Sequence, residues 1–147
     1  MKQVKANKAV FNLDSYTINR FSFSNLEKED TYLLGFIPSG QYSKEDRQFT
    51  VNLTLKVNKE INDVEIGDEL LNVDMEAVFI FEEELDFSDV PEYFYRNSLA
   101  IIFPYLRAFV STLTFQANIK PPVILPLLNL TQLEGEFKQN TKLVEKS

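Results

Sequence analysis

A chain of 147 residues is long enough for one domain with a single hydrophobic core, and its 44% apolar and 25% charged residues are typical of globular proteins. It contains no cysteine and no histidine, which excludes disulfides, thiolate nucleophiles and the usual neutral-pH general base. Its net charge of −7 disfavours nucleic-acid phosphates as a ligand. The composition therefore favours a binding or structural protein over an enzyme, and we expect no cofactor and no metal site.

The negative charge is concentrated in one segment. Thirteen acidic residues and no basic residue lie between Glu60 and Glu92. The preferred interpretation is a solvated set of strand faces and turns. The alternative is a surface that attracts a basic partner or a basic client segment.

Two features of the sequence argue against a membrane protein. The N-terminal stretch MKQVKANKAVFNLD lacks the apolar core of a signal peptide. Proline, arginine or asparagine interrupts each of the longest apolar stretches. We therefore expect no membrane insertion and a cytoplasmic location.

The first run of alternating residues predicts one long strand. Its apolar pairs are Phe11 and Leu13, then Tyr16 and Ile18, then Phe21 and Phe23. Alternation with period two is typical of a half-buried strand, and the change of phase between the pairs predicts bulges. A second run, 32–37, stops before Pro38 and predicts an edge strand, where proline is tolerated.

Two further runs predict a hairpin. The polar stretch NKEINDVEIGDE (58–69) separates them and is typical of a turn. The apolar faces of the two runs consist of Phe49, Val51, Leu53, Leu55 and Val57, and of Leu71, Val73, Met75, Ala77, Phe79 and Phe81. Together with the first two runs they predict an antiparallel sheet of four strands.

Helical periodicity replaces the alternation in the second half of the chain. Asn97 or Ser98 is a candidate cap, and apolar residues then recur every three or four positions as far as Leu113. Pro104 lies inside this pattern and predicts a kink or a restart.

The segment IKPPVILPLLN (119–129) should be extended because of its prolines. Asn129 is a candidate cap for a final helix, and residues 139–147 should form a frayed polar tail. Strands followed by helices predict the α+β class, with a four-stranded antiparallel sheet packed on two C-terminal helices. We expect one domain, 1–147.

The second half also carries more apolar surface than this fold can bury. Phe103, Tyr105, Phe109 and Phe115 lie near the proline-rich segment 121–126. One helix and one sheet of four strands cannot cover all of them, so the surplus predicts an oligomer interface or an exposed apolar patch.

The same region resembles a known family. The run IIFPYLRAFVSTLT (101–114), followed by a proline-containing apolar loop and LLNL, is similar to the export chaperone SecB and its SecB-like relatives. Family members carry a similar Ile-Leu-Phe-Pro-Tyr-x-Arg stretch at the start of their long helix. A Pro-x-Leu-x-Leu-x-x-x-Asn loop then leads into their last helix. Elsewhere the resemblance is one of strand order.

The resemblance implies a fold of one four-stranded sheet backed by two helices, assembled as a homotetrameric dimer of dimers through the first strand and the long helix. It also implies an ATP-independent chaperone for protein export, which binds unfolded or preprotein polypeptides in apolar grooves and hands preproteins to the SecA motor. Acidic residues on the first strand of SecB help it to bind SecA, whereas Arg20 and Ser24 stand in that stretch here. This departure motivates one alternative, a dedicated chaperone of a single partner such as an antitoxin. A second alternative is a structural or regulatory oligomer without clients, in which the apolar surface is buried between subunits.

The candidate site residues follow from the resemblance and the apolar surplus. The peptide-binding candidates are Phe103, Tyr105, Phe109, Phe115, Ile119, Pro122, Ile124 and Leu125. The candidates for an oligomer interface are Phe21, Phe23, Leu71, Val73 and Met75. No residue is a candidate for catalysis or metal binding.

Overall fold

A computed structural model describes residues 1–3, 10–24, 32–61, 66–119 and 122–145. Its strands are β1 (Phe11–Phe23), β2 (Tyr32–Ser43), β3 (Gln48–Glu60), β4 (Ile66–Phe81) and β5 (Thr141–Leu143), and its helices are α1 (Glu92–Gln116) and α2 (Glu134–Gln139). Short 3-10 turns at Phe87–Asp89 and Leu130–Leu133 precede the two helices. The sheet order is β1-β4-β3-β2-β5. The predicted α+β class is confirmed, with one short strand more than expected.

The long first strand has the bulges that its pattern predicts. β1 pairs antiparallel with β4, and the register shifts between Leu13 and Ser15 and between Ile18 and Arg20. Each shift skips one residue of β1, so the next apolar side chain stays on the same face. The apolar residues of β1 thus oppose buried residues of β4 in the pairs Phe11–Phe81, Leu13–Phe79, Tyr16–Ala77, Ile18–Met75, Phe21–Val73 and Phe23–Leu71.

The central hairpin of β3 and β4 supplies 11 of the 24 buried residues of the core cluster. Both of its predicted apolar faces are buried. The strands extend further than expected, because their pairing continues to Glu60 and Ile66 inside the stretch predicted to be a turn. Leu71, Val73 and Met75 lie in the same core cluster as the buried face of α1. These three interface candidates are therefore core residues, and no side-chain surface is left on them for a second subunit.

The helix α1 covers this sheet face, but it begins earlier than predicted. Pro91 occupies the N-cap position without a side-chain hydrogen bond, and Asn97 and Ser98 lie inside the helix. Proline presets the backbone for a helix start, and apolar residues one turn later extend the buried face. The helix continues through Pro104 without restarting. Its buried residues are Phe94, Tyr95, Ser98, Leu99, Ile102, Phe103, Leu106, Val110 and Thr114.

The length and composition of α1 alone would also suit a membrane span. Core helices of soluble proteins often have the same length and composition, because they too carry a long apolar face. In this fold that face packs on the sheet, where the Phe94 ring lies 4.4 Å from the ring of Phe49. One face of α1 thus belongs to the core, whereas apolar residues on its other faces, such as Tyr105 and Phe115, are exposed.

Residues 139–145 of the C-terminal tail are part of the fold, whereas the sequence predicted fraying from Gln139. β5 pairs in parallel with β2, where the Gly40 N–H donates to the Asn140 carbonyl and the Val144 N–H donates to the Tyr42 carbonyl. The Thr141 hydroxyl donates to the Phe137 carbonyl at 2.7 Å. The two backbone bonds attach the polar tail to β2. This strand continues to Ser43, beyond the end of the predicted run at residue 37. Among the described strands, β2 lies at the edge of the sheet, as predicted, as far as Ser39, and from Gly40 onward β5 pairs with it.

Gly40 permits α2 to lie against the sheet. A β-carbon at this position would come within 2.6 Å of Phe49 Cε1 and 2.9 Å of Phe137 Cε1. Real β-carbons do not approach carbon atoms so closely, so any side chain here must displace one of the two rings.

We predict that Gly40→Ala lowers the free energy of unfolding by about 1–3 kcal/mol, because the added methyl group overpacks the junction of β2 and α2. Urea denaturation measures the change. Gly135→Ala is the matched control, since no atom lies within 4 Å of its added β-carbon. Because Gly135 is helical, this control should stabilise the protein by about 0.5–1 kcal/mol. Equal effects of the two substitutions would contradict the packing described here.

Candidate functional site: an apolar groove beside the long helix

A groove with a volume of 430 Å³ lies between α1 and residues 127–131, at the end of the loop that follows the helix. Its apolar lining comes from both sides, and polar groups accompany it. We call it the α1–loop groove. The lining residues are Ala100, Phe103, Pro104, Leu127, Leu128 and Leu130, with Arg96, Asn97, Asn129 and Thr131.

The loop is tied to the end of α1 where it begins. Asn118 takes the left-handed conformation, with φ of 63°, and ends the helix. The Ile119 N–H donates to the Thr114 carbonyl at 3.0 Å. The buried Thr114 hydroxyl accepts the Val123 N–H at 2.8 Å and donates to the Val110 carbonyl at 2.9 Å. One side chain of the helix thus holds the middle of the loop.

The far end of the loop is held by a second polar group and by burial. The Asn129 Oδ1 atom accepts the Thr131 N–H at 3.1 Å and starts the turn before α2. Leu125 and Leu130 are buried in the core. The predicted cap at Asn129 therefore exists, although it begins a 3-10 turn and not the helix itself.

Between these anchors the loop presents apolar side chains to solvent. Ile124 is 64% exposed and Leu127 is 86% exposed. Leu125, which lies between them, is buried. This alternation is typical of an extended segment, and Pro122 and Pro126 favour the extended conformation. The loop forms an apolar wall that the chain itself does not cover.

The structure divides the eight peptide-binding candidates between different surfaces. Phe103 lines the groove. Ile124 and the buried Leu125 belong to the loop wall, and Ile119 and Pro122 are half-buried at its start. Phe115, which is 67% exposed, lies at the end of α1. Whether these residues bind a peptide stays a prediction.

Tyr105 and Phe109 lie on the other side of α1, against β1. The Tyr105 ring is 4.6 Å from the ring of Tyr16, and the Phe109 ring is 5.4 Å from that of Phe21. Phe21 and Phe23 are themselves 51% and 41% exposed. We call Tyr16, Phe21, Phe23, Tyr105 and Phe109 the β1 aromatic edge. Two peptide-binding candidates thus join the interface candidates on a surface separate from the groove.

The sequence did not identify several of the residues that line the groove. Ala100 lies one turn before Pro104 and Arg96 one turn before Ala100, so helical spacing from Phe103 was a signal that could have identified them. Leu127 and Leu128 carried no such signal, because no periodicity shows which side of an irregular loop faces the solvent.

Pro104 changes the hydrogen bonding of the groove floor. In a regular helix the carbonyl of Ala100 accepts the N–H of residue 104, which proline lacks. The Ala100 carbonyl therefore lacks the i+4 donor that it would have in a regular helix, and both residues line the groove.

Burial raises the pKa of two tyrosines among the described residues. Burial raises the pKa of Tyr95 to about 12, and the Glu92 carboxylate adds to this increase. Burial also raises the pKa of Tyr42. Both phenols belong to the core and neither lines the groove. Among the described residues, no three Asp or Glu side chains are grouped so as to hold a metal ion.

Comparison with known proteins identifies the fold. The structure resembles that of a SecB-like chaperone of Mycobacterium tuberculosis, solved in complex with a ChAD peptide from an antitoxin, with a TM-score of 0.62 and 19% sequence identity. The similarity covers 80% of this chain and 90% of that one. The chain therefore has the SecB-like fold that its sequence predicts.

The sequence comparisons are narrower. No protein-family model matches the chain. An uncharacterized protein of Methanocaldococcus jannaschii is 41% identical over 80 residues, which is 51% of this chain and 50% of that protein. The chain thus spans about half the length of this relative.

We predict that Thr114→Val destabilises the protein by about 1–3 kcal/mol, because it leaves the Val123 N–H without its acceptor. Hydrogen exchange at the Val123 amide should accelerate more than exchange in β3. Thr112→Val is the control, because Thr112 is exposed on the same helix, and it should change stability by less than about 0.5 kcal/mol. Unchanged exchange at Val123 in the Thr114 variant would show that the hydroxyl does not hold the loop.

Proposed function

We propose that this chain is an ATP-independent, SecB-like chaperone that binds unfolded polypeptide in the α1–loop groove. The observation that carries the proposal is the uncovered apolar wall, in which the largely exposed Leu127 lines the groove and Ile124, three residues earlier in the loop, is also largely exposed. Exposed apolar surface of this kind is typical of a binding site.

The groove offers both kinds of contact that an extended client needs. Its 430 Å³ falls within the range of about 300–1,000 Å³ typical of ligand sites. Burying one exposed leucine side chain stabilises a complex by about 1.5–3 kcal/mol. The Ala100 carbonyl and the Asn97 and Asn129 side chains offer hydrogen bonds to a client backbone, which are largely independent of client sequence.

We further propose that the whole chain, 1–147, is one domain that assembles into a homo-oligomer, a dimer of dimers, through β1. Among the described strands, β1 lies at the edge of the sheet and pairs only with β4, and an edge of this kind is able to pair with another chain. The β1 aromatic edge lies beside it, so strand pairing and aromatic burial would act together. Among the interface candidates, Phe21 and Phe23 fit this role and the three core residues of β4 do not.

The clients divide into two classes. A dedicated chaperone of one partner fits the fold as well as a general one does, because the Mycobacterium tuberculosis neighbour was solved with an antitoxin peptide. Arg20 and Ser24, which replace the acids that bind SecA in the resembling family, favour this reading over export. In both cases the protein is located in the cytoplasm and has no enzymatic activity. A structural oligomer without clients is the remaining alternative.

We predict that the protein suppresses aggregation of a denatured model protein at stoichiometric amounts without nucleotide. Leu127→Asp should weaken client binding roughly tenfold, because it replaces apolar burial by a charge that must be desolvated. Light scattering during dilution of the client from urea measures the effect.

Val144→Asp is the matched control for this substitution. Val144 is 44% exposed and follows β5, so the substitution introduces the same charge away from the groove. The control should suppress aggregation like the unmodified protein. A folded protein that suppresses no aggregation, or equal losses in both variants, would contradict the proposal.

We predict opposite effects of Pro104→Ala on stability and binding. The substitution should stabilise the folded chain by up to about 3 kcal/mol, because the helix interior regains an N–H and loses a steric clash. It should weaken client binding, because the new N–H occupies the Ala100 carbonyl. Thermal denaturation and client titration measure the two changes. Raised stability with unchanged affinity would exclude the carbonyl from client binding.

A further inference from the structure

We propose that β5 covers part of an edge at which β2 is able to pair with β2 of a second copy of this chain, and that release of β5 opens this edge. Such pairing involves neither the α1–loop groove nor a client, so it goes beyond the proposed function. It also leaves β1 untouched, because β1 lies at the other end of the sheet.

β5 bonds to β2 through every second residue of both strands. The Gly40 N–H donates to the Asn140 carbonyl at 3.3 Å. The Val144 N–H donates to the Tyr42 carbonyl at 2.8 Å. Backbone groups alternate in direction along a strand, so the N–H of Lys142, midway between Asn140 and Val144, also faces β2.

The same alternation leaves the first half of β2 open. Leu34 and Phe36 share the orientation of Gly40, so their backbone groups point away from β3. β5 pairs only with residues 40–42, and none of the described strands lies beside residues 33–39 on that side. An open edge of this kind is able to pair with a further strand.

β2 carries no charge that would keep its edge from pairing. Its 12 residues, YLLGFIPSGQYS, include no acidic or basic one. Leu33 and Ile37 point to the sheet face opposite to α1 and are 36% and 43% exposed. Natural edge strands are normally protected by charged residues, by proline or by a covering segment. Here Pro38 and β5 provide the protection.

A second copy of β2 matches this edge. Two uncharged strands meet without like charges facing each other, although the whole chain carries a net charge of −7. Antiparallel pairing of identical strands is two-fold symmetric, so each copy contributes the same surface. Pairing along residues 32–42 places the two copies of Ile37 opposite each other. It also places Leu34 of one copy opposite Gly40 of the other, and both have outward backbone groups.

β5 occupies the position that the second strand takes beside residues 40–42. Neighbouring strands lie about 4.8 Å apart, so two strands cannot pair with the same side of the same residues. With β5 in place, pairing is confined to residues 32–37. Release of β5 extends it to residues 32–42 and makes the additional backbone bonds available.

Few side chains hold β5 in place. Residues 142–144 are exposed, and Thr141 is the buried residue of the strand. The Asn140 side-chain amide donates to the Pro38 carbonyl at 3.1 Å. A short segment with little buried apolar surface opens locally at a much lower free energy than the whole fold. β5 is thus a removable cover.

Lys142→Pro tests this device in the full chain, because proline removes the N–H that faces β2. Amide exchange at Gly40 should accelerate. The mass from light scattering after size-exclusion chromatography should rise at least about twofold above that of the unmodified protein, as a two-fold contact requires. Leu143→Pro is the matched control, since the N–H of Leu143 faces away from β2, where an edge strand tolerates proline. The control should keep the mass of the unmodified protein.

Two rescues identify the edge. Ile37→Lys added to Lys142→Pro should restore the original mass, because two lysines then face each other across the pairing. This double variant loses one lysine and gains one, so its net charge equals that of the unmodified protein. An excess of a synthetic peptide of residues 139–145 should restore the mass as well, whereas a scrambled peptide should not.

The other outcomes overturn the device. Faster exchange at Gly40 without an increase in mass would show that the open edge does not pair. Unchanged exchange at Gly40 would show that the backbone of β5 is not what covers it. An increase in mass that Ile37→Lys does not reverse, or one that is as large in Leu143→Pro, would exclude β2 as the contact. None of these outcomes concerns client binding, so each leaves the chaperone proposal standing.

Discussion

Burial of one face of the sheet beneath the long helix α1 is the interaction on which the rest of the structure depends. The apolar faces of β3 and β4 are covered by the helix, and the two bulges of β1 keep its apolar residues on the same side. The Phe94 ring lies within 5.5 Å of the rings of both Phe49 and Phe79. Because a helix is narrower than a sheet, α1 cannot shield the apolar residues at both of its flanks. One flank leaves the β1 aromatic edge and the other leaves the α1–loop groove.

The groove exists because an apolar loop is held in place by polar bonds. Connecting segments are normally polar, since their backbone groups must be solvated. Here Thr114 and Asn129 satisfy backbone groups of the loop and its exit, and Leu125 anchors it in the core. The remaining side chains are therefore free to face outward without loosening the fold. Prolines reduce the conformational entropy that the segment loses when it is ordered, which suits a preformed binding wall.

The parts of the fold that depend on local pattern were accessible from the sequence. The bulges of β1 were visible as changes of phase, and the core faces of β3 and β4 as strict alternation. The order of the tail, with Thr141 bonded to Phe137, depends on contacts between distant residues, which no local pattern records. Tyr105 packs on Tyr16 of β1. The sequence could not predict this contact, because an aromatic residue next to the apolar stripe of a helix can face either side. Net charge is an average over surfaces that the fold separates, so it does not by itself predict which clients a groove accepts.

The central claim is that unfolded polypeptide binds the α1–loop groove and not the β1 aromatic edge. Hydrogen–deuterium exchange of the protein with and without a permanently unfolded client tests it directly. The account predicts slower exchange in the segments 96–104 and 122–131, with β1 and β5 unchanged. Protection confined to β1, or no protection in any segment while the client is bound, would contradict it.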